Sequence, residues 1–147
     1  MVKIEQIRTA NFESFDKIEN LTAVFVAGTN GIGEYTLCRL ANLRNRQEKA
    51  THVYLVGRNE VKANSVIDKC KIACPQMTFD FIKTQDIALL TEVESACKEI
   101  SKLERARSQG KGTPSIDLLV MTQGKIQFGE KIGEQCNECK ETHSSPY

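Results

Sequence analysis

The sequence lacks tryptophan, has only three prolines among 147 residues, and contains no apolar run long enough to cross a bilayer. Charges of the two signs nearly cancel, with 20 lysines and arginines against 19 aspartates and glutamates. Because the chain has almost no net charge with which to attract polyanions, we expect neither nucleic acid nor a membrane as a partner. The first residues mix charged with single apolar side chains, unlike a secretory signal, so we expect a cytoplasmic protein.

The sequence does have the composition of an ordinary globular chain, with 40% hydrophobic and 27% charged residues and enough length for one core. Its six cysteines are Cys38, Cys70, Cys74, Cys97, Cys136 and Cys139. Four of them fall on segments of helical pattern in a chain without a signal sequence, so we expect reduced thiols. Cys136, Cys139 and His143 have a workable spacing for zinc, but no fourth ligand is evident and we expect no metal.

Four short apolar runs alternate with segments of helical period. The runs cover residues 23–27, 53–56, 77–82 and 116–121, and the helical segments cover residues 33–46, 60–74 and 93–103. Runs of this length, rich in β-branched and aromatic residues, are typical of strands buried in a parallel sheet. The alternation predicts an α/β fold with about four parallel strands and flanking helices.

The pattern divides the chain into three parts. Residues 1–21 carry apolar side chains at roughly helical spacing, which predicts an amphipathic helical segment packed across the domain; these are Ile4, Ile7, Phe12, Phe15 and Ile18. Residues 22–129 contain the predicted strands and helices of the sheet. Residues 130–147 have almost no large apolar side chain and no period, so we expect a poorly ordered C-terminal tail.

A glycine-rich segment follows the first predicted strand and opens the first predicted helix. It consists of Gly28, Thr29, Asn30, Gly31, Ile32 and Gly33. Glycine in this position lets backbone N–H groups approach a pyrophosphate, and the helix N-terminus adds partial positive charge. The pattern therefore predicts that these six residues bind a dinucleotide. The simpler alternative is a tight strand-to-helix turn without a ligand.

The end of the second predicted strand carries Arg58 and Asn59, about where a dinucleotide fold places the group that contacts the adenosine ribose. An acidic residue there would accept a hydrogen bond from the ribose 2′-hydroxyl. Gly57 followed by Arg58 instead leaves room for a 2′-phosphate with a cation beside it. The sequence therefore favours NADP over NAD. The alternative is that Arg58 is a solvated loop arginine.

In this order, the motifs of residues 22–124 resemble the short-chain dehydrogenase/reductase family. The resemblance implies a Rossmann-type doubly wound parallel sheet, here only its N-terminal half and therefore truncated. The family pattern Gly-x-x-x-Gly-x-Gly places Gly31 and Gly33 on its last two glycines and Ala27 on its first. Since alanine adds only a methyl group, we expect the turn to survive if the backbone angles of Ala27 stay at negative φ.

Two further motifs carry the resemblance. Asp86 and Ile87 match a family pair whose aspartate accepts a hydrogen bond from the adenine amino group, although an acidic residue at this place could instead cap a helix. Gly124 is the one residue retained where the family has Asn-Asn-Ala-Gly after the fourth strand. The resemblance implies that Gly124 forms a wall of the adenosine pocket.

The resemblance also implies hydride transfer between NADPH and a carbonyl, by a serine and a Tyr-x-x-x-Lys pair further along the chain. The 147 residues contain no such pair, so we expect no turnover from this chain alone. The fourth strand is expected at an unpaired sheet edge, which favours self-association or pairing with another chain. The expectation is thus a fragment of an oxidoreductase; the alternative is a non-catalytic dinucleotide-binding or regulatory module.

Overall fold

The computed structural model describes residues 3–108 and 115–124. The elements in chain order are α1 (Ile4–Asp16), β1 (Asn20–Val26), α2 (Gly31–Gln47), β2 (Ala50–Gly57), α3 (Glu60–Ala73), β3 (Met77–Lys83), α4 (Leu90–Arg107) and β4 (Leu118–Met121). The predicted tail at residues 130–147, with the cysteines and histidine weighed as zinc ligands, lies outside the described residues. Within the two described ranges, no three side chains of the ligating types form a metal cluster.

The four strands form one parallel sheet in the order β3-β2-β1-β4. β1 pairs with β2 from Asn20 opposite Ala50 to Val26 opposite Val56, and its other side pairs with β4. The chain therefore moves outward from β1 to β3 and then crosses back to the opposite side of β1. This reversal of direction defines a Rossmann-type doubly wound sheet, and it confirms the predicted fold class.

Side chains from both faces of the sheet are buried, because helices cover both. Ala23 and Phe25 of β1 face a core shared with α2 and α3. Val24, between them, points to the opposite face and packs with Ile100 of α4. Period-2 alternation thus sends neighbouring residues into two separate cores, which explains why the central strands are continuous apolar runs.

The amino-terminal edge of the sheet is held by Arg44, which is fully buried near the end of α2. Its guanidinium donates to the carbonyl oxygens of Phe15, Ile18 and Ala50 at 2.8–2.9 Å, and to Thr51 Oγ1 at 2.8 Å. Burial lowers the pKa of Arg44 from its ordinary value. One side chain therefore satisfies backbone acceptors between α1 and β1 and at the start of β2.

A second buried polar group lies on the other face near the same edge. The Tyr54 hydroxyl donates to Glu104 Oε2 at 2.8 Å, and Arg107 donates to Glu104 Oε1 at 2.6 Å. Arg107 also reaches Thr22 Oγ1 at 2.7 Å. Burial would raise the pKa of Glu104, but the bonds from Arg107 and Tyr54 outweigh it and leave that pKa below its ordinary value. The carboxylate therefore ties α4 to the two central strands.

The N-terminal segment forms the predicted helix, but it does not pack across the domain. None of the residues of α1 is buried, and Ile4, Ile7 and Phe12 are 62%, 49% and 40% exposed. Only Phe15 and Ile18 pack against the core. The helix meets the domain at its carboxyl end, where Arg44 binds the backbone, so the predicted packing role is wrong for its first three apolar residues. No helix in the described ranges combines the length and hydrophobicity needed to cross a bilayer.

Candidate functional site

All the residues predicted to bind the dinucleotide lie at one edge of the sheet, because the carboxyl ends of parallel strands point the same way. Gly28, Thr29, Asn30, Gly31, Ile32 and Gly33 follow β1, Arg58 and Asn59 follow β2, Asp86 and Ile87 follow β3, and Gly124 follows β4. In open α/β sheets, ligands bind outside the carboxyl ends of the strands where the strand order reverses. Here that point lies between β1 and β4, beside the glycine loop.

The glycines of the loop have two different roles. Gly31, the first residue of α2, has a φ of 56°, and a Cβ added to it would meet no heavy atom within 4 Å. A Cβ added to Gly33 would lie 2.5 Å from Thr122 Oγ1 and 2.7 Å from the Ala27 carbonyl oxygen. Gly31 therefore leaves open space in front of the helix N-terminus, while Gly33 lets α2 approach the ends of β1 and β4.

Ala27 differs from the sequence-based expectation. Its φ is 64°, in the left-handed region that favours glycine, so the condition of a negative φ is not met. Hydrogen bonds on both sides fix the residue: its N–H donates to the Val56 carbonyl at 3.0 Å, and its carbonyl accepts from Thr122 Oγ1 at 3.2 Å. The turn keeps its shape, and an alanine in this conformation costs about 1 kcal/mol relative to glycine.

Thr122 is a residue that the sequence analysis did not select. It lies directly after β4, where its hydroxyl donates to the carbonyl oxygens of Val26 at 3.3 Å and Ala27 at 3.2 Å. The hydroxyl thereby links the end of β4 to the first residues of the glycine loop. A polar side chain at the end of an apolar run was the signal available, but the sequence does not show which neighbour it bonds.

Two asparagines at this edge cap helices. Asn30 is the N-cap of α2 and accepts from the Gly31 N–H at 2.9 Å, and Asn59 is the N-cap of α3 and accepts from the Lys62 N–H at 3.0 Å. These bonds fix where the two helices begin. The positive ends of two helix dipoles consequently lie at the same edge, a favourable environment for phosphate groups.

A cleft of about 200 Å³ lies between the glycine loop and the first turns of α3. It is lined by Thr29, Asn30, Glu34, Lys62, Ser65, Val66 and Lys69. The Lys69 ammonium is paired with Glu34 at 2.8 Å, while Lys62 is exposed. The sequence analysis missed Lys62 and Ser65, which a helix starting at residue 60 places three residues apart on one face.

Arg58 is exposed immediately after β2, and its side chain makes no hydrogen bond or ion pair with the described residues. Gly57 before it is partly buried, and a Cβ added there would lie 3.4 Å from the Thr29 side chain. The arginine therefore stands next to the glycine loop with all its donors uncommitted. Its position fits both readings of the sequence, a phosphate ligand or a solvated side chain.

The remaining predicted residues are Asp86 and Ile87 after β3 and Gly124 after β4. The carboxylate of Asp86 accepts from the Ala88 N–H at 3.1 Å, and α4 begins later with Leu89 as its N-cap, so the helix-cap alternative for Asp86 is wrong. Ile87 is partly buried against the core on the α4 face. Gly124 is exposed, and a Cβ added to it would contact nothing within 4 Å.

No family model matches the chain. Curated relatives do match: an oxidoreductase of Emericella variicolor is 36% identical over 92% of this chain, and an oxidoreductase of Emericella nidulans is 30% identical over 88%. A short-chain dehydrogenase/reductase of Stachybotrys chartarum is 33% identical over 89%. The chain is similar to oxidoreductases. It spans about a third of the length of these relatives, 34% to 37%.

Proposed function

We propose that this chain is the nucleotide-binding part of a short-chain dehydrogenase/reductase and binds NADP in preference to NAD. The observation that carries the proposal is the passage from β1 into α2, where Gly31 leaves the helix N-terminus open and Gly33 allows close packing. The similarity to proteins named oxidoreductases supports a nicotinamide dinucleotide as the ligand. The capped N-termini of α2 and α3 at this edge add partial positive charge beside the opening, which favours phosphate binding over a turn without a ligand.

The residues at this edge would hold different parts of the dinucleotide. Backbone N–H groups of residues 29–33 would bind the pyrophosphate, helped by the dipole of α2. Asp86 and Ile87 would contact the adenine, and Gly124 would border the adenosine. When bound, the nicotinamide supplies or accepts a hydride.

The preference for NADP is proposed from charge and space after β2. No carboxylate occupies the position that would accept from a ribose 2′-hydroxyl, and Arg58 is exposed and uncommitted there. Lys62 lines the cleft between the glycine loop and α3 and would add a second cation. A guanidinium and an ammonium together favour a 2′-phosphate, because charge-assisted hydrogen bonds are stronger than neutral ones.

The proposal is tested by titrating the full chain with NADPH and with NADH and following cofactor fluorescence. We expect NADPH to bind at least about tenfold more tightly than NADH, since one charge-assisted contact is worth roughly 1.5–3 kcal/mol. Arg58→Ala should remove most of this difference. Arg105→Ala, an exposed arginine in the last turn of α4 at the opposite edge, is the matched control and should leave both affinities unchanged. Equal affinities in the unaltered chain would overturn the preference.

We propose a non-catalytic binding module as the second candidate. It is favoured because the 147 residues offer no Tyr-x-x-x-Lys pair, and Tyr54 is fully buried and bonded to Glu104. Burial is the largest of the causes that raise the pKa of Tyr54. A tyrosine with a raised pKa is a poor proton donor to a carbonyl. Binding of NADPH without oxidation by carbonyl compounds would support the module; turnover by the purified chain would exclude it.

We also propose that β4 mediates self-association between two copies of the chain. In the described residues β4 pairs only with β1, and Leu119 and Met121 are 57% and 58% exposed. An apolar strand with an unpaired edge favours pairing with another strand. Sedimentation velocity should show a dimer that Leu119→Lys weakens. The control is Leu90→Lys, at an exposed residue at the start of α4, which should leave the dimer intact. A monomer at all concentrations would contradict this.

A further inference from the structure

Two cysteines from neighbouring helices meet on the face of the sheet covered by α2 and α3. The sulfur atoms of Cys38 and Cys70 are 3.9 Å apart. Cys70 is fully buried, whereas Cys38 is partly exposed. The two helices are also joined one turn away by the ion pair between Glu34 and Lys69 at 2.8 Å. Packed helices, not mobile loops, therefore hold the two sulfurs in contact.

The distance between the two sulfur atoms is that of a non-bonded contact, not of a disulfide. A disulfide needs its sulfurs about 2 Å apart, so the two sulfur atoms must approach each other by about 2 Å before the bond can form. Such a bond joins residues that are 32 apart in sequence. The other described cysteines differ: Cys74 is buried within the core, and Cys97 is exposed on α4 across the sheet.

We propose that Cys38 and Cys70 form an oxidisable pair, in which hydrogen peroxide oxidises Cys38 and Cys70 then closes a disulfide between α2 and α3. In the first step the Cys38 sulfur attacks peroxide, the O–O bond breaks, and a sulfenic acid and one water form. In the second step the Cys70 sulfur attacks that of Cys38, the S–O bond breaks, and a second water leaves. Two thiols lose two electrons in total, and one peroxide is reduced to two waters.

The order of the steps follows from exposure. Peroxide arrives from solvent and reaches the partly exposed Cys38, while Cys70 is enclosed by the core. Burial is the main cause that raises the pKa of Cys70 to about 12, and the neighbouring Cys38 sulfur is the second. This thiol therefore stays mostly protonated and resists direct oxidation by peroxide. Cys70 therefore acts as the resolving thiol. Its attack also needs the thiolate, so its proton passes to the hydroxide that leaves Cys38 and forms the second water, and the sulfur contact at 3.9 Å makes this step intramolecular.

The disulfide would act close to the cleft at the carboxyl edge. α2 begins at Gly31 beside the glycine loop, and α3 begins after its cap Asn59, and residues of both helices line the cleft. A covalent bond between the helices would fix their separation. The inference stands on the helix pair alone, whether or not the cleft binds a dinucleotide.

The test treats the full chain with a small excess of hydrogen peroxide, unfolds it in denaturant so that N-ethylmaleimide reaches every free thiol, and maps peptides without reduction. We expect a cross-linked peptide that joins Cys38 to Cys70. Its mass should be two hydrogens below the summed masses of the two free peptides, and dithiothreitol should separate it into them. The exposed Cys97 provides the matched control: Cys97→Ser should give the same cross-link. Cys38→Ser should abolish the cross-link and leave Cys70 free.

Two results would overturn the proposal. The first is that N-ethylmaleimide alkylates both Cys38 and Cys70, which shows that both remained free thiols, at a peroxide concentration that oxidises Cys97. The second is that Cys70 is cross-linked to a different cysteine, with Cys38→Ser making no difference. The first result is obtained with the unaltered chain, and the second with the unaltered chain and Cys38→Ser, so neither depends on whether a Cys70 variant folds.

Discussion

The two ends of the parallel sheet use polar groups in opposite ways. At the amino-terminal edge, Arg44 and Glu104 are buried, and their hydrogen-bonding groups are used within the protein. At the carboxyl edge, Arg58 and Lys62 are exposed and Gly31 borders open space. Uncommitted cations beside open space favour phosphate groups, so this difference supports the proposal that the dinucleotide binds at the carboxyl edge.

The two edges also differ in what fixes their backbone. Side chains hold the amino-terminal edge, since Arg44 binds carbonyl oxygens at the end of α1 and the start of β2. Backbone shape holds the carboxyl edge, where Ala27 and Gly31 adopt positive φ and Gly33 packs against Thr122. Substitutions at the first edge should therefore act mainly on stability, and those at the second on stability and binding together.

The largest effect is expected at the amino-terminal edge. Arg44→Met should lower the free energy of unfolding by about 3–5 kcal/mol, because it leaves buried carbonyl oxygens without donors. Urea denaturation followed by circular dichroism measures the change. Arg46→Met, two residues away on the same helix and exposed, is the control and should change it by less than about 0.5 kcal/mol. Similar losses in the two variants would contradict the role given to Arg44.

A smaller loss of stability is expected from Gly33→Ala at the carboxyl edge. The new methyl group would overlap Thr122 Oγ1 and the Ala27 carbonyl, which costs about 1–3 kcal/mol and moves α2 away from β1. Denaturation should show the loss of stability, and titration should show loss of NADPH affinity. Gly124→Ala, which adds a methyl group in open space, should leave stability unchanged. An unaffected Gly33→Ala would show that close packing here is unnecessary.

Ala27→Gly should instead stabilise the chain. Glycine adopts a φ of 64° without the steric cost that alanine has, although its unfolded state is more flexible. The net gain should be about 1 kcal/mol or less, seen as a higher denaturation midpoint. Ala63→Gly, at the fourth residue of α3, should have the opposite sign, since glycine weakens helices. A destabilised Ala27→Gly would mean that this backbone position is unstrained.

The smallest expected effect is a pH dependence from His52. Its Nδ1 lies 2.7 Å from Thr78 Oγ1, and burial, more than the opposing charge of Asp80, lowers its pKa below the ordinary 6.5. The unfolded chain therefore takes up a proton before the folded chain as pH falls. Stability from this group is complete above about pH 6.5 and declines below it. Denaturation at pH 7.5 and 5.5 should show a smaller decline in His52→Gln than in the unaltered chain.

The strands, and the glycine segment that opens α2, were predictable because they depend on local pattern, whereas the doubly wound order was implied by the family resemblance. Continuous apolar runs marked β1 and β2, and the glycine segment marked the start of α2. The φ of Ala27 was not predictable, since hydrogen bonds to Val56 and Thr122, distant in sequence, determine it. Arg44 resembled an ordinary cation near a helix C-terminus, and only the folded chain brings its carbonyl partners around it.

The packing of the first helix was not predictable for a related reason. Helical spacing of Ile4 and Ile7 shows that one face is apolar, but it does not show what that face contacts. In the structure both residues are exposed, and only the region around Phe15 reaches the core. Periodicity thus predicted the element correctly and its packing incorrectly.

The most direct test of the contrast between the two edges is amide hydrogen exchange, measured with and without NADPH. Ligand at the carboxyl edge should slow exchange in residues 28–33 and around Arg58, where N–H groups are proposed to face phosphates. Exchange at residues 50–52, beside Arg44 at the opposite edge, should not change beyond a uniform stabilisation. Protection centred on residues 50–52, or none in the glycine loop at saturating NADPH, would contradict the account.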